Sequence, residues 1–219
     1  MRIDIWSDLV CPWCYIGKRR FERALANFAH RDAIAPGQII HRSFQLNPSQ
    51  PKERTLPRRA AIIAKYGLTE MQAREMDAKM ERTAAAEGLD FRLDGGLTGN
   101  TFGAHQLVHL GGVRGVQDQV IERLYRAYFS EQRSIFDEDS LVEFGSDAGL
   151  GAGEARTALR SHAFAAEVQH DIAVARKIGI SGVPFFVIDG QVGISGAQPS
   201  EVFAAALERA WRERGAIAR

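Results

Sequence analysis

The chain has two cysteines in 219 residues, and they stand together as Cys11-Pro12-Trp13-Cys14. They follow a short β-like run, Arg2 to Trp6, and open an amphipathic segment that Phe21, Leu25 and Phe28 continue. A proline between them suits a helix only at its first position, where its missing N–H and fixed φ are tolerated. Cys11 is then the expected N-cap and Cys14 the third helical residue. The junction constrains fold and chemistry together: a strand ends, a helix begins, and two sulfurs lie one turn apart at its start.

Such a pair beside a β-α-β pattern reads as a thioredoxin-like redox dithiol. An N-cap sulfur is expected to face unpaired backbone N–H groups and the positive end of the helix dipole, both of which favour thiolate over thiol. Cys11 is thus the expected nucleophile, ionising below the free-thiol value of about 8.5. Cys14, one turn in, is the expected resolving thiol, displacing a substrate sulfur held on Cys11. Two blander readings compete. A structural zinc site needs four ligands, and the nearest helical histidine pair, His105 and His109, lies about ninety residues away. A purely structural bridge at this spacing closes too small a loop to restrain the unfolded chain. No metal is expected.

The 28 basic and 27 acidic residues nearly cancel, which argues against nucleic acid or a membrane surface as partner. Lys18-Arg19-Arg20 and Arg58-Arg59 read as solvated helix faces, with Lys18 as a secondary source of positive field near the dithiol. The N-terminus runs straight into the first strand without a leader-like segment, and no apolar run reaches bilayer length. A cytoplasmic protein is expected, where persistent disulfides are catalytic or sensing.

Gln38 to Phe44 reads as a second strand, completing β-α-β, and Pro48, Pro51 and Pro57 punctuate the polar stretch after it. Residues 57–161 carry helical periodicity, with a capping box at Thr69 and Gln72 and with Gly88, Gly111 and Gly149 as expected helix ends. Met71, Met76 and Met80 are expected to pack. A helix then ends at Gly179, strands PFFVI and QVGIS flank an Asp189-Gly190 turn, and Pro199 precedes a last helix from Ser200 to about Arg214. The expected class is α/β, with residues 1–56 and 162–219 forming one discontinuous domain around an all-helical insertion at 57–161.

The order β-α-β, then α-β-β-α, with Cys11-Pro12-Trp13-Cys14 at the first helix and Gly182-Val183-Pro184-Phe185-Phe186 before the hairpin, resembles the thioredoxin fold with its mixed sheet. The whole chain is similar to the DsbA-like thioredoxin family, and within it to the FrnE-like branch. The runs that carry this are SDLVCPWCYIGKRRFE (Ser7 to Glu22), NTFGAHQLVHL (Asn100 to Leu110), and GVPFFVIDG with SGAQP (Gly182 to Pro199). The resemblance implies Cys11 as nucleophile, Cys14 as resolving cysteine, Pro12 and Trp13 as residues that tune the dithiol, and Pro184 as a cis-proline beside the sulfurs. Val183 would offer backbone groups to an extended substrate.

Asp8 is the nearest acid in sequence and a candidate proton shuttle for Cys14, a turn-capping loop acid being the alternative. Asn100 and His105 are candidates for facing a substrate groove, with ordinary packing as the alternative. The implied activity is thiol–disulfide exchange on polypeptide or small-molecule thiols and disulfides. No cofactor is expected beyond the Cys11–Cys14 couple, with room for glutathione as co-substrate. Oligomeric state is left open, a homodimer being one outcome. Two other readings stand: a glutathione-dependent isomerase or transferase of the 2-hydroxychromene-2-carboxylate isomerase or kappa type, and a non-enzymatic chaperone-like or redox-sensing binding protein.

Overall fold

A computed structural model describes residues 1–35, 37–52 and 54–217. The described residues divide into two compact units, one drawn from Met1–Phe44 and His170–Arg219 and the other from Gln45–Gln169. The expected junctions at 56/57 and 161/162 lie inside the second of these, and the expected domain end at residue 219 lies outside the described residues.

In the first unit, strand β1 (Ile3–Ser7) is followed by helix α1 (Pro12–Ala26) and strand β2 (Ile39–Ser43). After helix α8 (Ala165–Lys177), which begins in the second unit's span, come β5 (Phe185–Ile188), β6 (Val192–Ser195) and α9 (Ser200–Ile217). The sheet order is β2-β1-β5-β6, with β1 parallel to β2 and antiparallel to β5. The hairpin turn has positive φ at both Asp189 and Gly190, the conformation that matches the right-handed strand twist and favours Asp-Gly.

β1 is buried along its whole length, so its alternating side chains serve two layers. Ile3 and Ile5 join Phe186, Ile188, Val192 and Ile194 against Phe21 of α1 and Phe203 and Leu207 of α9. Phe21, Phe186 and Phe203 form a ring cluster with centroids 4.7–5.8 Å apart, within the range of favourable aromatic geometry. Trp6 points to the opposite face, packing with Phe185 and Val187 against Val174 and Ala175 of α8. Its indole N–H donates to the Asp171 carbonyl at 3.1 Å. On the same side Arg42 bridges Asp4 (2.8 Å) and Asp171 (3.1 Å), and the Ser43 N–H donates to Asp171 at 3.0 Å. The sheet is thereby fixed between α1 and α9 on one face and α8 on the other.

The second unit holds helices α2 (Arg58–Tyr66), α3 (Glu70–Ala85), α4 (Phe102–Arg114), α5 (Gln117–Phe129), α6 (Glu138–Asp147) and α7 (Ala152–Arg160). The Thr69–Gln72 capping box is present at the start of α3. This unit is not purely helical: β3 (Leu56–Pro57) pairs with β4 (Leu97–Thr98), and Gly99 directly after β4 approaches the Phe136 ring too closely to carry a Cβ. Gly111 is not a helix end. It lies inside α4, where a Cβ would come within 2.9 Å of Val120 on α5; the stop is Gly115, whose φ is +73°. The glycine at 111 permits close helix approach, and the one at 115 supplies the left-handed residue that terminates the helix. Met76 and Met80 are half-buried, whereas Met71 is exposed, contrary to the packing expectation.

A buried dithiol as the candidate active site

Cys11 is the N-cap of α1, in extended geometry at φ −92° and ψ 110°, with Pro12 at the first helical position. The sequence folds this way because β1 ends at Ser7 and a turn at Asp8 reverses the chain, the Cys11 N–H donating to the Asp8 carbonyl at 3.0 Å. The Cys14 N–H then donates to the Cys11 carbonyl at 3.0 Å. Both cysteines are free thiols, 5% and 2% exposed.

The Cys11 sulfur does not cap the helix as expected, making no side-chain bond to the helix N–H groups. Its S–H instead points to the Val183 carbonyl oxygen at 3.6 Å. The reduced sulfur carries a proton to donate, and a backbone carbonyl beside it accepts. The Val183–Pro184 peptide bond is cis. Pro184 is buried and Val183 half-buried, so the segment before β5 lies against the dithiol.

Burial pushes the Cys14 thiol well above its ordinary value. A hydrogen bond with Cys11 and the charge of the Cys11 sulfur add to that effect. Asp8, itself 1% exposed, acts both ways: its backbone favours the Cys14 thiolate and its carboxylate charge opposes it. The two sulfurs meet different neighbours, and Cys14 holds its proton at neutral pH.

Pro12 is half-buried and Trp13 is 42% exposed, so the tryptophan between the cysteines presents its ring outward. Lys18 departs from the solvated-face reading. It is 5% exposed and ion-paired with Glu22, which also accepts from Arg19 at 2.7 Å. That pairing offsets the positive field expected of it near the dithiol.

The structure brings Asp8, Cys11, Pro12, Trp13, Cys14, Val183 and Pro184 together in the first unit. Asn100 and His105 belong to the second unit. The Asn100 amide donates to the Gln50 carbonyl at 2.6 Å, and its oxygen accepts from Gln45 and the Phe102 N–H. That side chain is thus committed to holding local backbone. His105 is buried in α4. Among the described residues no group of three or more His, Cys, Asp or Glu side chains is arranged to hold a metal ion, and no helix is long and apolar enough to cross a membrane. Sequence reasoning missed Gly17, which meets Pro184 before β5 and Ala197 after β6, and read Arg20 as solvated, whereas it is half-buried and donates to the Ala197 carbonyl. The available signal was a glycine inside an amphipathic helix, which marks close backbone approach.

A thioredoxin-like sheet with a dithiol at the start of its first helix defines a class of thiol-based oxidoreductases. Residues 2–208 match the DSBA-like thioredoxin domain, and the chain belongs to that family. A crystal structure of a probable DsbA oxidoreductase from Streptomyces coelicolor is 46% identical, with TM-score 0.92 over 97% of this chain and 91% of that one. The fold is shared with the cytosolic disulfide reductase DsbM of Pseudomonas aeruginosa, solved also with GSH (18% identity, TM-score 0.64, 97% and 99% coverage). It is shared too with a 2-hydroxychromene-2-carboxylate isomerase (15% identity, TM-score 0.65, 99% of both chains).

Proposed function

We propose that this oxidoreductase exchanges disulfides with polypeptide or small-molecule partners through Cys11 as nucleophile and Cys14 as resolving thiol, in the cytoplasm. The observation that carries the reading is the placement of the dithiol: both sulfurs are buried at the start of α1, with Cys14 held protonated and Cys11 at the N-cap beside the Val183 carbonyl.

In the reducing direction the Cys11 thiolate attacks one sulfur of a substrate disulfide. The substrate S–S bond breaks, and the departing sulfur takes up a proton as the first free thiol. Cys14 then gives up its proton, and its sulfur attacks Cys11. That attack breaks the mixed disulfide and releases the second substrate thiol, protonated. The substrate gains two electrons and two protons, and the protein is left with a Cys11–Cys14 disulfide. The same steps in reverse oxidise a dithiol, the direction being set by the potential of the couple against that of its surroundings. Asp8 acts as acceptor for the Cys14 proton, a role supported by its closeness, its carboxylate charge being felt at that thiol. Backbone groups at Val183 align an extended substrate. Glutathione is the small-molecule partner this reading favours, DsbM being a protein of shared fold solved with it.

A Cys14→Ser variant is expected to accumulate covalent mixed disulfides with substrate, and Cys11→Ser to accumulate none. Equal trapping by both, or by neither, overturns the assigned roles. The fold shared with 2-hydroxychromene-2-carboxylate isomerase supports a second reading, glutathione-dependent isomerisation. That chemistry needs no resolving thiol, so isomerase turnover surviving Cys14→Ala would select it.

A further inference from the structure

Gly17 stands in the interior of α1, where glycine is less favourable than alanine because it leaves the unfolded backbone more freedom. Its position explains the cost. A Cβ there would lie 3.0 Å from Pro184 Cγ and 3.4 Å from both Cα and Cβ of Ala197. Three residues further along the same helix, Arg20 Nη1 donates to the Ala197 carbonyl at 2.6 Å. The two contacted segments are joined to one another, since the Gly196 N–H donates to the Pro184 carbonyl at 2.8 Å. One is the stretch leading into β5. The other is Ser195-Gly196-Ala197-Gln198-Pro199, which leads from β6 to α9 and is closed by Gln198, whose side chain donates to the Ser195 carbonyl at 2.8 Å.

We propose that Gly17 and Arg20 are positioning residues for disulfide exchange: they form a seat on α1 that sets the height of the Val183–Pro184 segment above Cys11, and so favour extended peptide substrates over small disulfides. Gly17 supplies the close approach and Arg20 the tether. Gly17 meets Pro184 directly, and Arg20 acts on it through Ala197 and the Gly196–Pro184 bond; the carbonyl of the preceding Val183 is 3.6 Å from the Cys11 sulfur. The inference rests on the exchange reading above, but its structural half does not depend on turnover.

A small disulfide needs only access to the Cys11 sulfur. A disulfide-bonded peptide must also align with backbone at Val183, and misplacing reacting groups by even a fraction of an ångström is costly in rate. In Gly17→Ala the new methyl group must displace Pro184 or Ala197, moving the segment relative to Cys11. The experiment compares wild type, Gly17→Ala, Arg20→Met and Arg20→Lys in two readouts. The first is the set of amide NMR shifts over 182–186 and 195–198. The second is kcat/KM for a disulfide-bonded decapeptide relative to that for bis(2-hydroxyethyl) disulfide, with glutathione supplied as the reductant that returns the Cys11–Cys14 disulfide to the dithiol and the protein-free rate subtracted.

Gly17→Ala and Arg20→Met are expected to move the amide shifts in both segments and to lower the peptide-to-small-disulfide ratio on the order of tenfold, mainly through KM. Arg20→Lys, which keeps a donor, should recover most of the ratio. Unmoved shifts, or a ratio that holds while the shifts move, overturn the seat. A wild-type protein inert toward both disulfides overturns the exchange reading and the positioning role with it, while the shifts still report whether α1 holds the two segments.

Discussion

Alkylating the reduced protein across about pH 6 to pH 10, with each cysteine followed by peptide mapping, tests the inequality of the two thiols directly. An ordinary thiol titrating near 8.5 is about 3% thiolate at pH 7. Cys14 titrates above that range because it is buried, bonded to Cys11 and close to the Asp8 carboxylate. Its thiolate fraction at pH 7 is therefore below about 3%, and each unit of further elevation removes another factor of about ten. At 2% exposure it is also screened from reagent. Initial labelling of Cys14 by iodoacetamide should thus run at under about 3% of the rate of the same cysteine in the unfolded protein at high pH, where it is fully ionised. The logarithm of its rate should climb by about one for every pH unit through pH 8.5 without levelling. A Cys14 rate that reaches a plateau below about pH 8.5 would refute the argument, because it would mean that burial and the Cys11 sulfur do not hold the proton there.

Three other outcomes come from the same geometry. Asp8→Asn removes a negative charge that opposes Cys14 ionisation, so the Cys14 labelling profile should move to lower pH; a profile that stays put or moves upward contradicts the assignment. The reduced protein should lose stability in alkali through Cys14. Below about 8.5 both folded and unfolded chains keep the proton; above it the unfolded chain releases the proton first, costing the fold up to about 1.4 kcal/mol per pH unit until the folded thiol ionises. In denaturant titrations the stability difference between reduced wild type and Cys14→Ala, set by packing at this buried site, should therefore stay constant up to about pH 8.5 and change only on the alkaline side, as wild type loses stability. Asp171→Ala removes the carboxylate to which the buried Ser43 N–H donates and takes from Arg42 the Asp171 end of its bridge to Asp4. A cost of about 3 kcal/mol is expected, or roughly 6–12 °C in Tm for a chain of this size, and a change under about 2 °C by calorimetry would count against the network.

The features legible in the sequence are those that local chemistry decides. Pro12 fixes where α1 starts, Asp189-Gly190 fixes the β5–β6 turn, and Thr69 with Gln72 fixes the start of α3, because each of these signals acts within four residues. The strands came out within a residue or two, at Ile3–Ser7 rather than Arg2 to Trp6 and at Ile39–Ser43 within Gln38 to Phe44. The features that were not legible depend on partners distant along the chain. Gly111 carries the same letter as a helix stop, and only the approach of Val120 shows it to be a packing glycine. The Leu56–Pro57 and Leu97–Thr98 ladder joins segments about forty residues apart and is too short to leave a periodic signal. Lys18 reads as solvated until Glu22 and the surrounding burial are seen. The dithiol itself was legible, but its hydrogen-bond geometry was not. Helix-start reasoning aims the Cys11 sulfur at backbone N–H groups, whereas a segment more than 170 residues away supplies the carbonyl it meets.

In the proposed exchange Cys11 and Cys14 form one redox couple that passes electrons to or from a partner's sulfurs. It is tested by two mixtures, the reduced protein with one equivalent of a disulfide-bonded peptide and the oxidised protein with one equivalent of the same peptide reduced, each quenched in acid and mapped by mass spectrometry. In at least one of the two mixtures the Cys11–Cys14 disulfide should form or disappear while the peptide passes to the opposite redox state. Both mixtures left unchanged, or a mixed disulfide that never resolves in either, would contradict it.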